Sequence, residues 1–286
     1  MTFLSRLSSR RNTAEKITPP VIVKPPEVRS RHLDLLASEV ATRVLLVSDS
    51  DCARLLRLCF DEYGQNCLMH TSEGGITTIT GTIQQKPVSI VSIGNGMAAM
   101  DKAVRELRDL TKGPLAIIHL AKCSTHIADV ATGSTVVAVD SFAVQTLLGS
   151  EPAAFKISQP IRADSALVQL LASQLEREKK CTMIQAGDIT TDTFYAAQGR
   201  QPAGLNHQFF ADLVHNHPKA MSLQMQTYPL YRLAHQNGIH AAACAIVINN
   251  LATDQFLEVQ TTHEIELAAG HACMQALSHI NLGTPI

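Results

Sequence analysis

Two almost uninterrupted apolar runs, LAIIHLA (115–121) and HAAACAIVIN (240–249), constrain this chain more than any other feature. A membrane helix needs roughly 20 apolar residues, and both runs fall far short of that. Neither alternates as a strand with one wet face does, so both read as strands buried on both faces. Such strands belong to sheets covered by helices, and the rest of the sequence supplies the cover.

Strand-like and helix-like segments alternate along the chain. RVLLVS (43–48) is followed by ARLLRLCFDEYG at helical spacing, then by ITTITGTI (76–83) and PVSIVSIG (87–94) as a β-pair, and by the helix AMDKAVRELRDL (99–110). Beyond LAIIHLA come the strand STVVAVDSF (134–142), a helix over 164–180 capped by Asp164, the strand CTMIQAGDI (181–189) and the helix HQFFADLVHNH (207–217). AMSLQM then reads as a strand, TYPLYRLAHQNG as a helix stopped by Gly238, and the chain closes with a helix from about Leu257 to His279. The pattern predicts a three-layer α/β/α sandwich with a central mixed, largely parallel sheet.

With 286 residues, 45% hydrophobic and 17% charged, the chain has enough apolar material for a sizeable core. ITPPVIVKPPEV (17–28) carries two Pro-Pro pairs and reads as an extended linker, so one folded domain is expected over 33–286 and an arm over 1–32. The arm holds seven basic residues against two acidic ones, while the body holds 17 basic against 23 acidic: a basic appendage on an acidic domain. MTFLSRLSSRRNTA has three Arg, three Ser and no acid, the composition of a mitochondrial matrix-targeting segment. The competing reading is a basic arm that touches RNA phosphates or a protein partner.

Seven cysteines are widely spaced without a Cys-x-x-Cys pair, which argues against a disulfide framework or a zinc site and leaves most as reduced core residues. His207, His215, His217 and His271 fall on expected helices at mostly surface positions, with no metal-ligand spacing. No metal and no cofactor are expected.

Two short stretches carry chemistry. GNGMAAM (94–100) places Gly94 and Gly96 between a strand and a helix N-terminus, where bare backbone can approach an anion. DTFYAAQGR (192–200) sets an aromatic face at Phe194, a carboxamide at Gln198 and a guanidinium fork at Arg200 close together. A ring that stacks, an amide that both donates and accepts, and a permanent cation suit the O4, N3 and O2 edge of uracil.

The order of these stretches resembles the nucleoside phosphorylase family, and within it the uridine phosphorylases, over about residues 43–280. IVSIGNGMAAMDKAVREL looks like the family's strand, glycine turn and helix, and DTFYAAQGR looks like its uracil loop, with Phe194, Gln198 and Arg200 matching residue for residue. SLQMQT (222–227) stands where the family carries Glu-Met-Glu-Ser or Thr, so Met225 and Gln226 are remnants of a ribose site. Asn249 falls where purine-specific members have an acidic residue, which points to pyrimidines.

The resemblance implies phosphorolysis of a uridine, which needs a cationic cradle for phosphate, a carboxylate for the ribose hydroxyls and stabilisation of the departing uracil. Here VSDSDCA (47–53) replaces the family's first phosphate loop, and Arg54 belongs more naturally to the following helix. His119 takes the place of the second phosphate arginine, and Lys122, Cys123 and Ser124 run through a turn that is glycine-rich in the family. HTSEGG (70–75) lacks the arginine that members lend across a dimer, and Gln224 and Gln226 replace two glutamates. Gly94, Gly96, His119 and Lys122 are thus phosphate-site remnants, and no residue is assigned a catalytic role.

The expectation is a catalytically degenerate uridine-phosphorylase-like protein serving as a scaffold subunit of a mitochondrial assembly, the mitochondrial ribosome being one candidate. The alternatives are an active pentosyltransferase using Lys122, His119 and Arg54, or an inactive partner of an active paralogue. Partners to match are a homodimer or a heterodimer with that paralogue, and an RNA–protein complex contacted through the arm.

Overall fold

A computed structural model describes residues 28–147, 154–195 and 207–283. In chain order these form β1 (Arg43–Val47), α1 (Ser50–Leu56), β2 (Leu68–Thr71), β3 (Thr77–Ile83), β4 (Lys86–Ser92), α2 (Met97–Leu110) and β5 (Ala116–Thr125). Then follow β6 (Ser134–Leu147), β7 (Ala154–Ile157), β8 (Ile161–Arg162), α3 (Ser165–Leu175), β9 (Thr182–Thr191), α4 (His207–Asn216) and β10 (Ala220–Gln224). The last elements are α5 (Thr227–Asn237), β11 (His240–Asn250), β12 (Gln255–Phe256) and α6 (Val259–His279).

The two apolar runs are the paired spine of a mixed sheet. β5 lies between β1 and β11, parallel to both, with His119 level with Leu46 on one side and Ala243 on the other. Helices cover both faces, as the double-sided burial requires. α2 and α5 pack Met100, Leu107, Leu230 and Tyr231 over Leu46, Ile117 and Ala243, while α1, α3 and α6 pack over Leu45, Ile118 and Cys244.

Half of the sheet closes on itself, which the sequence pattern does not reveal. β11 runs antiparallel to β6, β6 parallel to β9, β9 parallel to β10, and β10 returns to β5 through Leu223 opposite Ser124. β1, β4, β3 and β2 fan out from the other side of β5 as an open extension.

The caps expected from sequence are in place: Asp164 accepts from the Leu167 N–H at 2.9 Å, and Gly238 ends α5 in the left-handed region at φ 62°. Several boundaries differ from expectation. The helix expected over 53–64 ends at Leu56: the chain tightens into a 3-10 turn over Arg57–Cys59, Phe60 is extended, and Glu62, Tyr63 and Gly64 then adopt positive φ. α3 stops at Leu175, since the charged run after it offers nothing to bury. β5 and β6 run on past their apolar cores, to Thr125 and Leu147. Among the described residues no helix is long and apolar enough to cross a membrane.

Candidate functional site

A cleft of about 590 Å³ opens where the carboxyl ends of β1, β5, β10 and β11 converge. Crevices outside the carboxyl ends of strands are the usual ligand sites of α/β sheets, because loops there are free to carry chemistry. Its wall includes Ser48 and Asp49 after β1, Asn95 in the glycine turn, Lys122 on β5, Gln226 after β10, Asn249 on β11 and the rings of Phe194 and Phe256.

The glycine turn is locked against β1 by the Gly94 N–H donating to the Ser48 carbonyl at 3.0 Å. Gly94 and Gly96 have φ of 78° and 92°, so glycine is needed for conformation, whereas a Cβ at either would meet open space. Gln226 fixes the turn from the side, its Nε2 donating to the Gly94 carbonyl oxygen at 3.0 Å.

Lys122 is the cation among the described residues lining the cleft, and it is engaged twice. Its Nζ lies 2.8 Å from Oε1 of Glu266, a side chain only 4% exposed, and 3.1 Å from Oδ2 of Asp49. Burial works against the ammonium, but the Glu266 bond and charge, and then Asp49, outweigh it and hold its pKa above the usual lysine value. Asp49 is itself anchored: its Oδ1 accepts from the Cys52 N–H at 2.7 Å and caps α1. Burial pushes its carboxyl up, while the Cys52 bond and Lys122 pull it down further, so it sits below the ordinary aspartate value.

Behind the cleft floor lies a carboxylate that sequence reading passed over. Asp188 on β9 is fully buried and accepts from Ser222 Oγ at 2.7 Å, Ser141 Oγ at 2.7 Å, Thr190 Oγ1 at 2.8 Å and Gln224 Nε2 at 3.0 Å. Desolvation raises its pKa, the four donors only partly offsetting it. Gln224 passes the order on, its Oε1 accepting from the Met225 and Gln226 N–H groups at 2.8 and 2.7 Å. This chain of bonds sets the backbone that carries Met225 and Gln226 into the cleft.

The expected site residues are placed unevenly. Phe194, Met225, Gln226 and Lys122 line the cleft, and Gly94 and Gly96 frame its glycine turn. Phe194 stands edge-on to Tyr195 with centroids 5.3 Å apart and keeps 47% of its surface exposed. Gln198 and Arg200 lie outside the described residues. His119 is not on the cleft wall: it is 0% exposed, both ring nitrogens lack a hydrogen-bond partner among the described residues, and burial pushes its pKa down to about 4. A neutral ring sealed among apolar neighbours offers an anion nothing. Sequence reasoning missed Glu266 and Phe256, which nothing local marks because only the docking of α6 and β12 brings them here, and it passed over Asn95 inside the glycine turn it had singled out.

A family model described as the phosphorylase superfamily matches residues 42–280. The chain is 26% identical over 232 residues to a uridine phosphorylase of Thermococcus kodakarensis, an overlap of 79% of each chain. A solved structure from work on two diverse uridine phosphorylases of the oomycete Phytophthora capsici superposes with a TM-score of 0.83 at 27% identity, covering 88% of this chain and 95% of that one. A Trypanosoma brucei nucleoside phosphorylase described as showing uridine phosphorylase activity shares the fold, with a TM-score of 0.71 at 16% identity over 88% of this chain and 98% of that one. The chain therefore belongs to the phosphorylase superfamily, with uridine phosphorylases among its relatives in sequence and in structure.

Proposed function

We propose that this protein is a uridine-phosphorylase-like subunit that has lost phosphorolysis and serves as a binding or scaffold component of a larger assembly. The observation that carries this reading is the double pairing of Lys122 with Glu266 and Asp49, which leaves the described cleft wall with no uncommitted positive charge. Phosphoryl oxyanions are held by preorganised cations and N–H donors, and losing one such group in a preorganised site typically lowers the rate about 10²–10³-fold.

The alternative, an active enzyme using Lys122, His119 and Arg54, asks for three side chains of which none presents a free positive charge to the cleft. Lys122 is paired, His119 is sealed and neutral, and Arg54 reaches out to Asp51 at 3.2 Å on the exposed side of α1. Ribose fares no better, because Gln226 turns its amide donor to Gly94 where a carboxylate grip on two hydroxyls would be needed.

The assembly we favour is mitochondrial, on the composition of residues 1–14, which lie outside the described residues. Native purification from the source cell tests that part: recovery in a large mitochondrial ribonucleoprotein supports it, and recovery as a free oligomer or with an active phosphorylase contradicts it. Crystals soaked in uridine and sulfate test the chemistry. The proposal expects no sulfate in the cleft; ordered sulfate beside an ordered nucleoside would end it.

A further inference from the structure

The closed half of the sheet carries a second pocket, of about 370 Å³, that shares no lining residue with the cleft. It opens at Gly187 on β9, where both neighbouring strands break register. Val139 is an extra residue in β6, between the Ala138–Ala186 and Asp140–Gly187 pairs, and Met221 is one in β10, between the Ala220–Gly187 and Ser222–Asp188 pairs. Bulges are rare in parallel ladders and gather beside active sites, where they re-aim a side chain.

The side chain re-aimed here is that of Asp140. Its Oδ1 lies 2.8 Å from where a Cβ on Gly187 would stand, so the carboxylate uses space that only glycine leaves. Half-buried on the pocket wall, Asp140 makes no side-chain hydrogen bond or ion pair among the described residues, although Arg162 on β8 is level with it. Lys219 lines the same pocket, its carbonyl oxygen accepting from the Gly187 N–H at 2.9 Å, and its ammonium is likewise unpaired among the described residues. Ser158, by contrast, is committed: its hydroxyl accepts from the Ala143 N–H at 2.8 Å and donates to the Gln159 carbonyl at 3.0 Å. Phe142 gives an apolar wall, backed by the His217 ring at 4.4 Å between centroids, and Pro160 and Pro218 extend it.

A carboxylate and an ammonium that share an apolar pocket without meeting complement a ligand carrying the reverse pair on an apolar body. An α-amino acid has that form. Its ammonium offers three donors to Asp140, its carboxylate accepts from Lys219 and the Asn216 carboxamide, and its side chain covers Phe142 and the prolines. We propose that this pocket is a second binding site, which takes a free α-amino acid with an aliphatic side chain. The site is independent of what the cleft does.

The test is calorimetric titration of the full chain with L-leucine. The wild type should bind it with a dissociation constant of about 5 mM or tighter, the level that a ligand of this size reaches at ordinary efficiency. Two analogues, 4-methylpentanoate without the ammonium and 3-methylbutylamine without the carboxylate, should each bind at least about fivefold more weakly. Asp140→Asn keeps the shape without the charge and should weaken leucine binding about tenfold, and Lys219→Met, at a more exposed position, about threefold. Circular dichroism confirms that each variant is folded, and the analogues test the wild type whether or not a variant folds.

No saturable binding of L-leucine in the millimolar range, equal affinity for leucine and 4-methylpentanoate, or an affinity that Asp140→Asn or Lys219→Met leaves unchanged overturns the proposal.

Discussion

Gln226 donates its side-chain amide to the carbonyl oxygen of Gly94 at 3.0 Å, tying the start of α5 to the glycine turn before α2 across 132 positions of sequence. The residue is 3% exposed, so the bond forms away from water and its geometry is held by Gln224 beneath it. A carboxylate at this position would set an acceptor against an acceptor.

Gln226→Glu, which restores the family's residue, should therefore destabilise the fold by about 1–3 kcal/mol, the cost of an unsatisfied buried polar pair. Urea denaturation at pH 7.5 measures it. No loss of stability would mean that the turn moves freely.

Asp188 separates the effect of charge from that of hydrogen bonding. Asp188→Asn keeps an oxygen for Ser141, Thr190 and Gln224 and lets the Ser222 hydroxyl rotate to accept, so the network survives without its charge. The wild-type carboxyl has a raised folded pKa, so its stabilisation is complete below the ordinary aspartate value and is lost as pH rises through the folded one. The asparagine variant should gain on the wild type between pH 4 and 7, while Asp188→Leu, which orphans every donor, should lose several kcal/mol at any pH. Denaturant midpoints at the two pH values decide it.

His119 supplies the opposite slope. Its folded pKa of about 4 lies below the ordinary value of 6.5, so the unfolded chain takes up a proton that the folded chain refuses. The stability at stake is complete above pH 6.5 and lost as pH falls towards 4, on the order of 3 kcal/mol. His119→Leu should flatten this part of the pH–stability curve. Part of the slope remains in that variant, because burial also pushes His126 down to about 4.

Gly270 is where α6, which carries Glu266, meets α1, which Asp49 caps. A Cβ there would run into Leu56 Cδ2 and lie 2.8 Å from its Cδ1. Gly270→Ala should cost about 1–3 kcal/mol by overpacking, although alanine is the better helix former. In a Leu56→Ala background the same change should be neutral or stabilising by up to about 1 kcal/mol. Additive effects in that double-mutant cycle would show that the two helices have room to part.

The layered α/β architecture was legible because burial on both faces of 115–121 and 240–249 leaves its mark in composition. Gly238 and Asp164 were legible because caps are local chemistry. Closure of the β5–β11–β6–β9–β10 ring was not, since strand pairing joins residues that no local pattern connects. The same limit divides the site. Phe194, Lys122 and Gln226 sit in recognisable stretches, whereas Glu266 comes from a helix whose sequence reads only as amphipathic cover. His119 reads as a substitute for an arginine until the sheet shows it buried under α2 and α5. VSDSDCA reads as a loop with surplus acid, and only the fold shows that Asp49 has two partners.

The central claim is that this cleft does not carry out phosphorolysis, and the most direct measurement is uracil release from uridine by the purified full chain in saturating inorganic phosphate. The account predicts no release above the rate without protein. Turnover at an ordinary enzymatic rate, about 1 s⁻¹ or faster, abolished by Lys122→Met, would contradict it.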